Sequence, residues 1–201
     1  IVGPPISNFM KWLGNLVNIN VEASPILGGI AVSVLMGMIL TLPISSAALG
    51  VSMGLTGLAA GAATIGCCCQ MVGFAVASYR ENKFGGFIAQ GIGTSMLQVP
   101  NILRRPLIWL PPIISSAILG PVASAVLHMV STPIGSGMGS AGFVGQIAAY
   151  GAMLETGMSS KVALIQILLM HFILPAVVTL IFSEGMRKAG WIKEGDMKLE
   201  V

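Results

Sequence analysis

Between Ser45 and Ser78 the sequence contains no charged residue. A single helix of that length would measure about 50 Å, whereas the hydrocarbon core of a bilayer is about 30 Å thick. Only 8% of the whole chain is charged, and average soluble domains carry about 25% charged residues. A soluble protein cannot cover its surface with so few charges, so the sequence predicts an integral membrane protein embedded in a lipid bilayer.

The apolar runs predict helices and not an outer-membrane barrel. They are longer than about 18 residues, rich in Gly, Ala, Leu and Ile, and do not alternate with period two. We therefore predict an all-α polytopic membrane protein with six to seven transmembrane or re-entrant helices. The uncharged stretch 45–78 is expected to form two spans that separate near Gly61–Gly66. Further spans are predicted at 26–42, 84–103, 113–130, 133–154 and 162–182.

This assignment divides the chain into three parts. Residues 1–25 are predicted to form an N-terminal interfacial segment, because they are mixed in polarity and contain Trp12. Residues 26–183 form the transmembrane domain. Residues 184–201 carry several Lys and Arg residues and are predicted to be a soluble tail on the cytoplasmic side.

Residues 133–146 form a glycine string that is uncharged and ends on Gln146. Each glycine inside an ordinary helix costs about 1 kcal/mol relative to alanine, so local propensity does not favour a helix here. Either neighbouring helices pack very closely on this segment, or its backbone is exposed to a ligand. The glycines are Gly135, Gly137, Gly139, Gly142 and Gly145.

An internal duplication is predicted from three matches in the same order. Residues 44–50 match residues 114–120 at six of seven positions. Further along, Gln70 corresponds to Gln146, and Gln90 corresponds to Gln166. The two units, about 43–103 and 112–178, would each hold three membrane segments, so the second would be inverted relative to the first. Inverted repeats with discontinuous helices are a transporter design.

The positive charges leave two topologies open. The inverted repeat separates Arg80 and Lys83 from Arg104 and Arg105, which lie on opposite sides of the membrane if 84–103 crosses it. In the alternative, 84–103 and the glycine string are re-entrant or interfacial, and all four basic residues share the cytoplasmic side. The positive-inside rule favours the alternative, but the sequence does not decide between them.

Several function classes are not supported by the sequence. The net charge of +3 is too small and too dispersed to indicate nucleic-acid binding. We find no Ser/His/Asp set, no HExxH, no P-loop and no Cys/His metal spacing, so no catalytic residue, cofactor or metal site is predicted. Cys67, Cys68 and Cys69 are consecutive and would point about 100° apart on a helix. They are predicted to be small packing residues.

Uncharged polar residues inside the apolar spans are the candidates for solute binding. Gln70 and Gln146 are expected either to bind a polar solute, such as a sugar hydroxyl, or to bond across helices. Glu155 is expected either to bind solute hydroxyls through its carboxylate or to lie in an interfacial loop. His171 is either a proton carrier or a packing residue. The remaining candidates for solute binding are Thr94, Ser95, Gln98, Asn101, Gly137, Gly139 and Ser140.

Three motifs, at residues 91–101, 109–121 and 133–146, resemble the phosphotransferase-system enzyme IIC-like membrane family that includes the perfringolysin regulator PfoR. The resemblance extends over residues 40–180 and implies a bacterial inner-membrane protein. Its function would be either a permease for a small polar, sugar-like solute, or a membrane-embedded solute sensor that regulates gene expression without transport.

The same resemblance implies that the chain is not itself an enzyme. A phosphoryl relay requires a phosphorylatable His or Cys on a soluble domain, and no such segment is recognisable in this sequence. Phosphotransferase IIA and IIB proteins are the implied partners for any phosphoryl transfer, and a homodimer is the expected assembly. Members of the family are usually longer at the N-terminus, so this chain, which does not begin with Met, is expected to be part of a longer protein.

Overall fold

A computed structural model describes residues 3–199, and within that range the chain is helical with no β-strand. This confirms the predicted all-α class. The α-helices are α1 (Gly3–Ala23), α2 (Pro25–Thr41), α3 (Ser46–Met53), α4 (Gly57–Ala77), α5 (Tyr79–Ile88), α6 (Val99–Arg104), α7 (Leu110–Pro121), α8 (Val144–Glu155), α9 (Ser160–Ile167) and α10 (Leu174–Lys188). Shorter π-helical or 3-10 turns occur at Ala89–Gly93, Ser95–Gln98, Pro106–Trp109, Val122–Val126, Gly135–Gly137, Ala141–Phe143 and Leu168–Ile173.

Helix α4 is the centre of the molecule, and almost all of its side chains are buried. Its glycines allow three neighbours to approach closely. A Cβ at Gly61 would collide with the carbonyl of Met129, and one at Gly66 with the backbone of Ser33 on α2. A Cβ at Gly73 would lie 2.7 Å from the hydroxyl oxygen of Thr179 on α10. Small residues thus bring helix backbones together where lipid provides no hydrophobic driving force.

The predicted break near Gly61–Gly66 is wrong. The stretch 45–78 instead divides at Gly54, which has a φ of 64° and ends α3 in the left-handed conformation that glycine adopts readily. Gly61 and Gly66 lie within continuous helix, because the close packing that they permit stabilises α4 more than their low propensity destabilises it.

Three helical stretches in the described part of the chain are long and apolar enough to cross a membrane. They are Gly57–Ala77, Pro106–Val126 and Ser160–Lys188, and α2 is a shorter apolar helix. Arg187 donates to the carbonyl of Ala77 at 3.1 Å, so α4 and α10 finish at the same end of the bundle. We call this the tail end, because the segment after α10 folds back on it.

A first hairpin, residues 79–104, both begins and finishes at the tail end. Glu81 near its start accepts hydrogen bonds from Arg187, at 3.1 Å, and Arg105 just after it lies 3.7 Å from Asp196 of the tail. The hairpin is broken at Lys83, which has a φ of 52°, and again at the turns between residues 89 and 98. Its geometry therefore matches the re-entrant alternative and not a continuous span.

A second hairpin, residues 128–155, begins at the opposite end. The amide of Ser131 donates to the carbonyl of Gly57, at 3.3 Å. Gly139 packs on Cys67, halfway along α4, and α8 then leads away to Glu155. Left-handed residues, among them Gly139 and Gly142 with φ of 52° each, produce the turns. The prediction that the glycine string does not form an ordinary helix is confirmed.

The tail is packed against the bundle. Helix α10 continues to Lys188, past the predicted domain boundary at 183, and beyond it Ile192 and Met197 are buried. At the other terminus, the aromatic rings of Phe9 and Trp12 stack on an exposed face of α1. That face fits an interfacial helix, although the division of the chain into three parts stays a prediction.

The local structure does not repeat where the sequence does. Residues 44–50 form a turn and the start of α3, whereas residues 114–120 lie wholly inside α7. Gln70 is in the middle of α4, and Gln146 is in the first turn of α8. The internal duplication therefore stays a prediction from the sequence.

Candidate functional site

The two hairpins meet beside the second half of α4, between Cys67 and Ala75. The hydroxyl of Ser140, on the second hairpin, donates to the carbonyl of Gly91, on the first, at 2.6 Å. Gly91 lies against Ala75 and Gly139 lies against Cys67, so both hairpin tips pack on α4. Discontinuous segments that meet inside a membrane protein leave backbone polar groups near the bilayer centre, and transporters bind solutes there.

Beside this junction is a buried polar group that we call the Gln70 cluster, made of Thr41, Gln70, Ser95 and Trp109. The side-chain oxygen of Gln70 accepts hydrogen bonds from the Trp109 indole, at 2.8 Å, and from the Thr41 hydroxyl, at 3.3 Å. The Thr41 and Ser95 hydroxyl oxygens are 2.9 Å apart. The cluster thus joins α2, α4, the first hairpin and the turn that precedes α7.

The nitrogen of the Gln70 amide is buried and has no hydrogen-bond partner within residues 3–199. Leaving a buried donor unsatisfied costs about 1–3 kcal/mol, which a ligand with an acceptor oxygen would recover. None of the four side chains is ionisable, so the cluster suits an uncharged polar ligand. Gly37 leaves room for the amide, because a Cβ there would lie 3.1 Å from Gln70 Cγ and 2.6 Å from the carbonyl oxygen of Gly66.

Gln146 is not part of this cluster. Its amide nitrogen lies 3.0 Å from His171 Nδ1 and 3.5 Å from Cys68 Sγ. Because Cys68 and Gln70 are two positions apart on α4, their side chains point about 200° apart around the helix. Gln70 therefore points away from the face of α4 against which Gln146 packs, although α4 and α8 are in contact. The amide oxygen of Gln146 has no partner in the described part of the chain.

Gln98 and Asn101 hold the protein's own tail. Gln98 donates to the carbonyl of Met197 and Asn101 donates to the carbonyl of Lys198, each at 3.0 Å. Gln98 also donates to the side-chain oxygen of Gln90, at 2.8 Å. These amides form a network at the tail end, and their hydrogen-bonding groups are used within the chain.

The other candidates occupy separate positions. The Thr94 hydroxyl accepts from the amide of Met96 and caps the turn that follows it. The carbonyl of Gly137 accepts from the Ser46 hydroxyl, at 2.6 Å. Glu155 is exposed at the end of α8. Of the candidates predicted from the sequence, only Ser95 joins Gln70 in one cluster.

Sequence reasoning missed Thr41 and Trp109. Thr41 is the last polar residue of the first apolar run, two positions before Pro43, where a helix is expected to end. A half-buried Trp needs an acceptor for its indole N–H, and that requirement is the signal that links Trp109 to a polar group nearby. Only the folded chain identifies Gln70 as that acceptor.

The family comparison agrees with this architecture. A family model described as "Phosphotransferase system, EIIC" matches residues 1–199. Comparisons with curated proteins and with solved structures returned no match. A match over nearly the whole chain, together with a helical membrane fold, identifies the family, and the chain belongs to the phosphotransferase system EIIC family.

Proposed function

We propose that this EIIC-like permease component carries a small, uncharged, sugar-like solute and binds it at the Gln70 cluster. The observation that carries the proposal is the buried, unpartnered amide nitrogen of Gln70 beside two hydroxyl groups. A sugar presents several hydroxyls, each of which is both a donor and an acceptor. Such a ligand satisfies the amide without introducing a charge into the membrane.

Each residue of the cluster has a distinct role in this proposal. Gln70 donates to a solute oxygen through its free nitrogen, while the Trp109 indole fixes the orientation of the amide through its oxygen. The hydroxyls of Thr41 and Ser95 donate hydrogen bonds to the solute or accept them from it, because a hydroxyl is both a donor and an acceptor. Ser95 belongs to the first hairpin and Gln70 to α4, so movement of the hairpin against α4 opens or closes the site.

The proposed setting is the bacterial inner membrane, with the tail end in the cytoplasm. Lys and Arg are enriched in cytoplasmic segments of membrane proteins, and eight of the chain's ten belong to segments at the tail end. We propose that IIA and IIB partner proteins act there and that the permease is a homodimer. The eight are Arg80, Lys83, Arg104, Arg105, Arg187, Lys188, Lys193 and Lys198.

The substitution Gln70→Met tests the binding site. It keeps the side-chain volume similar and removes the amide, so we expect solute affinity to fall about tenfold, equivalent to about 1.4 kcal/mol of lost hydrogen bonding. The measurement is binding and uptake of a panel of labelled sugars by the protein in proteoliposomes. Gln166→Met is the matched control, because Gln166 also has an unpartnered, buried amide oxygen but lies on α9.

Equal affinities for the two variants would show that the Gln70 cluster is not the site. Binding that depends on Gln70 but is not accompanied by uptake would instead favour the membrane sensor. That result would support binding at the Gln70 cluster and contradict transport, so the binding site and the transport function are tested separately.

A further inference from the structure

A groove runs along one side of α4 from the hairpin junction to the tail end. It consists of three cavities that share lining residues. The deepest and the middle cavity share Val76 and Phe87, and the middle and the outermost cavity share Arg80. We call the whole feature the lateral groove. Its lining changes from apolar at the deep end, which lies nearest the hairpin junction and includes Val72 of α4, to charged at the outer end, which includes Arg80 of α5.

The deep part of the groove is purely apolar. It is a cavity of about 390 Å³ with Val72 and Val76 of α4 in its wall. The aromatic rings of Phe87, Phe143 and Phe172 line it from the first hairpin, the second hairpin and the π-helical turn before α10. Phe143 and Phe172 have ring centroids 6.2 Å apart. A trough of this composition accepts a hydrocarbon chain and no polar ligand.

The outer part of the groove combines an interfacial aromatic with cations. Tyr79, Arg80 and Glu184 line the middle cavity. Arg80, Arg187 and Lys193 line the outer cavity of about 420 Å³ together with one acid, Glu194. Tyr is typical of the membrane–water interface. Basic pockets between membrane helices bind anionic lipid headgroups.

The two arginines keep donors that their ion pairs do not use. Arg80 bonds to Glu184 at 2.9 Å, but its side chain is 68% exposed, and a guanidinium has five N–H groups. The side chain of Arg187 is only 10% exposed and is paired with Glu81, and its Nε, which has no hydrogen-bond partner in residues 3–199, is buried. A phosphate oxygen in the outer cavity is an acceptor for the exposed donors of Arg80, and the charge of Arg187 lies beside it.

We infer that the lateral groove is a binding site for one anionic phospholipid, with an acyl chain in the apolar trough and the phosphate at Arg80 and Arg187. The order of the lining residues supports a lipid, because it reproduces the order of a phospholipid from chain to headgroup. A transmembrane helix of a partner would fill the apolar part and leave the exposed donors of Arg80 without an acceptor. The bound chain would touch both hairpins, and so the lipid would stabilise the junction between them.

The headgroup half of the proposal is tested by native mass spectrometry of delipidated protein. The probes are phosphatidylglycerol and phosphatidylcholine with identical acyl chains. We expect phosphatidylglycerol to bind at least fivefold more tightly, and Arg80→Gln to remove most of that preference, since one cation near the membrane surface is worth about fivefold. Glu184→Gln is the control, because it breaks the same ion pair but keeps the cation, and it should preserve the preference.

The acyl half is tested by filling the trough. Ala176 lines the trough, so Ala176→Trp should weaken binding of both lipids, whereas Val177→Trp, at an exposed neighbouring position on α10, should not. Equal binding of the two lipids by the unmodified protein, or unchanged binding by either Arg80→Gln or Ala176→Trp, would overturn the proposal. A change of oligomeric state in Ala176→Trp without loss of lipid would assign the groove to a second copy of the chain instead.

Discussion

Single glycines set the distances between the helices of this protein. Gly66 is the clearest case, because α2 crosses α4 at that point with the backbone of Ser33 directly over it. Ser33 also donates to the carbonyl of Ser116, at 2.8 Å, so the same position joins a third helix, α7. A side chain at Gly66 would therefore push apart three elements that bury the core of the bundle.

Gly66→Ala is expected to destabilise the protein by about 1–3 kcal/mol, the cost of overpacking a close contact that cannot relax, because the obstructing atoms are backbone. Gly151→Ala is the matched control. Gly151 lies in α8, and a Cβ there would meet no atom of residues 3–199 within 4 Å, so alanine should be neutral or gain up to about 1 kcal/mol. Denaturant titration in mixed micelles measures both. A Gly66→Ala protein as stable as the original would contradict the close crossing.

At this scale the sequence identifies polar residues but not their partners. Gln70 and Ser95 are recognisable as costly groups inside apolar runs, because lipid offers them no hydrogen bonds. Their meeting with Thr41 and Trp109 depends on the helix crossing at Gly66 and on the path of the first hairpin. Gln98 and Asn101 show the same limit, since they resemble solute ligands in the sequence but bind the tail in the folded chain.

The packing of the tail, the segment after α10, is the feature that is hardest to predict from the sequence. Its charged composition indicates a soluble extension, yet Asn82 clamps it with two hydrogen bonds of 2.8 Å, one to the carbonyl of Met197 and one from the amide of Leu199. Met197 is fully buried beneath the first hairpin. The tail therefore links the hairpin to α10.

Asn82→Leu removes both clamps and is expected to weaken tail docking by about 2 kcal/mol. Because proteolysis follows the population of the open form, tryptic cleavage at Lys193 and Lys198 should become roughly ten to thirty times faster. Asn20→Leu provides the comparison, since Asn20 is exposed and its side chain donates to the carbonyl of Leu16 in its own helix. Equal cleavage rates in the two variants would mean that the tail is held elsewhere.

The elements themselves are only partly predictable. Apolar runs locate α2, α7 and the α9–α10 stretch correctly, because length and hydropathy are local properties, but the break predicted near Gly61–Gly66 falls inside α4. The residue at which an element ends depends on contacts with distant parts of the chain. Gly54 and Gly61 look equally able to break a helix, and only the close packing at Gly61 keeps α4 continuous there. In the two hairpins, polar residues and glycines mark the positions where the helices break. The path of the chain after each break is determined by contacts between residues that are far apart in sequence.

For the whole molecule, the composition alone is sufficient to predict a helical membrane protein, whereas the topology needs the fold. The contact between Arg105 and Asp196 brings the residue after the first hairpin to the tail end, at 3.7 Å. This changes the distribution of charge from the one that an inverted repeat implies. With Arg105 and Arg80 at one end, the excess of Lys and Arg there is large, and by the positive-inside rule it supports the proposed orientation with the tail end in the cytoplasm.

That orientation is tested by two cysteine substitutions at the ends of the α9–α10 stretch. Ser160–Lys188 measures about 43 Å as a helix, longer than the hydrocarbon core, so Lys161 and Lys193 should lie on opposite sides of the membrane. The three native cysteines are fully buried and should remain unlabelled. A membrane-impermeant maleimide added to intact cells should label Lys161→Cys at once and Lys193→Cys only after lysis. The reverse pattern would invert the orientation, and labelling of both positions in intact cells would contradict the crossing itself.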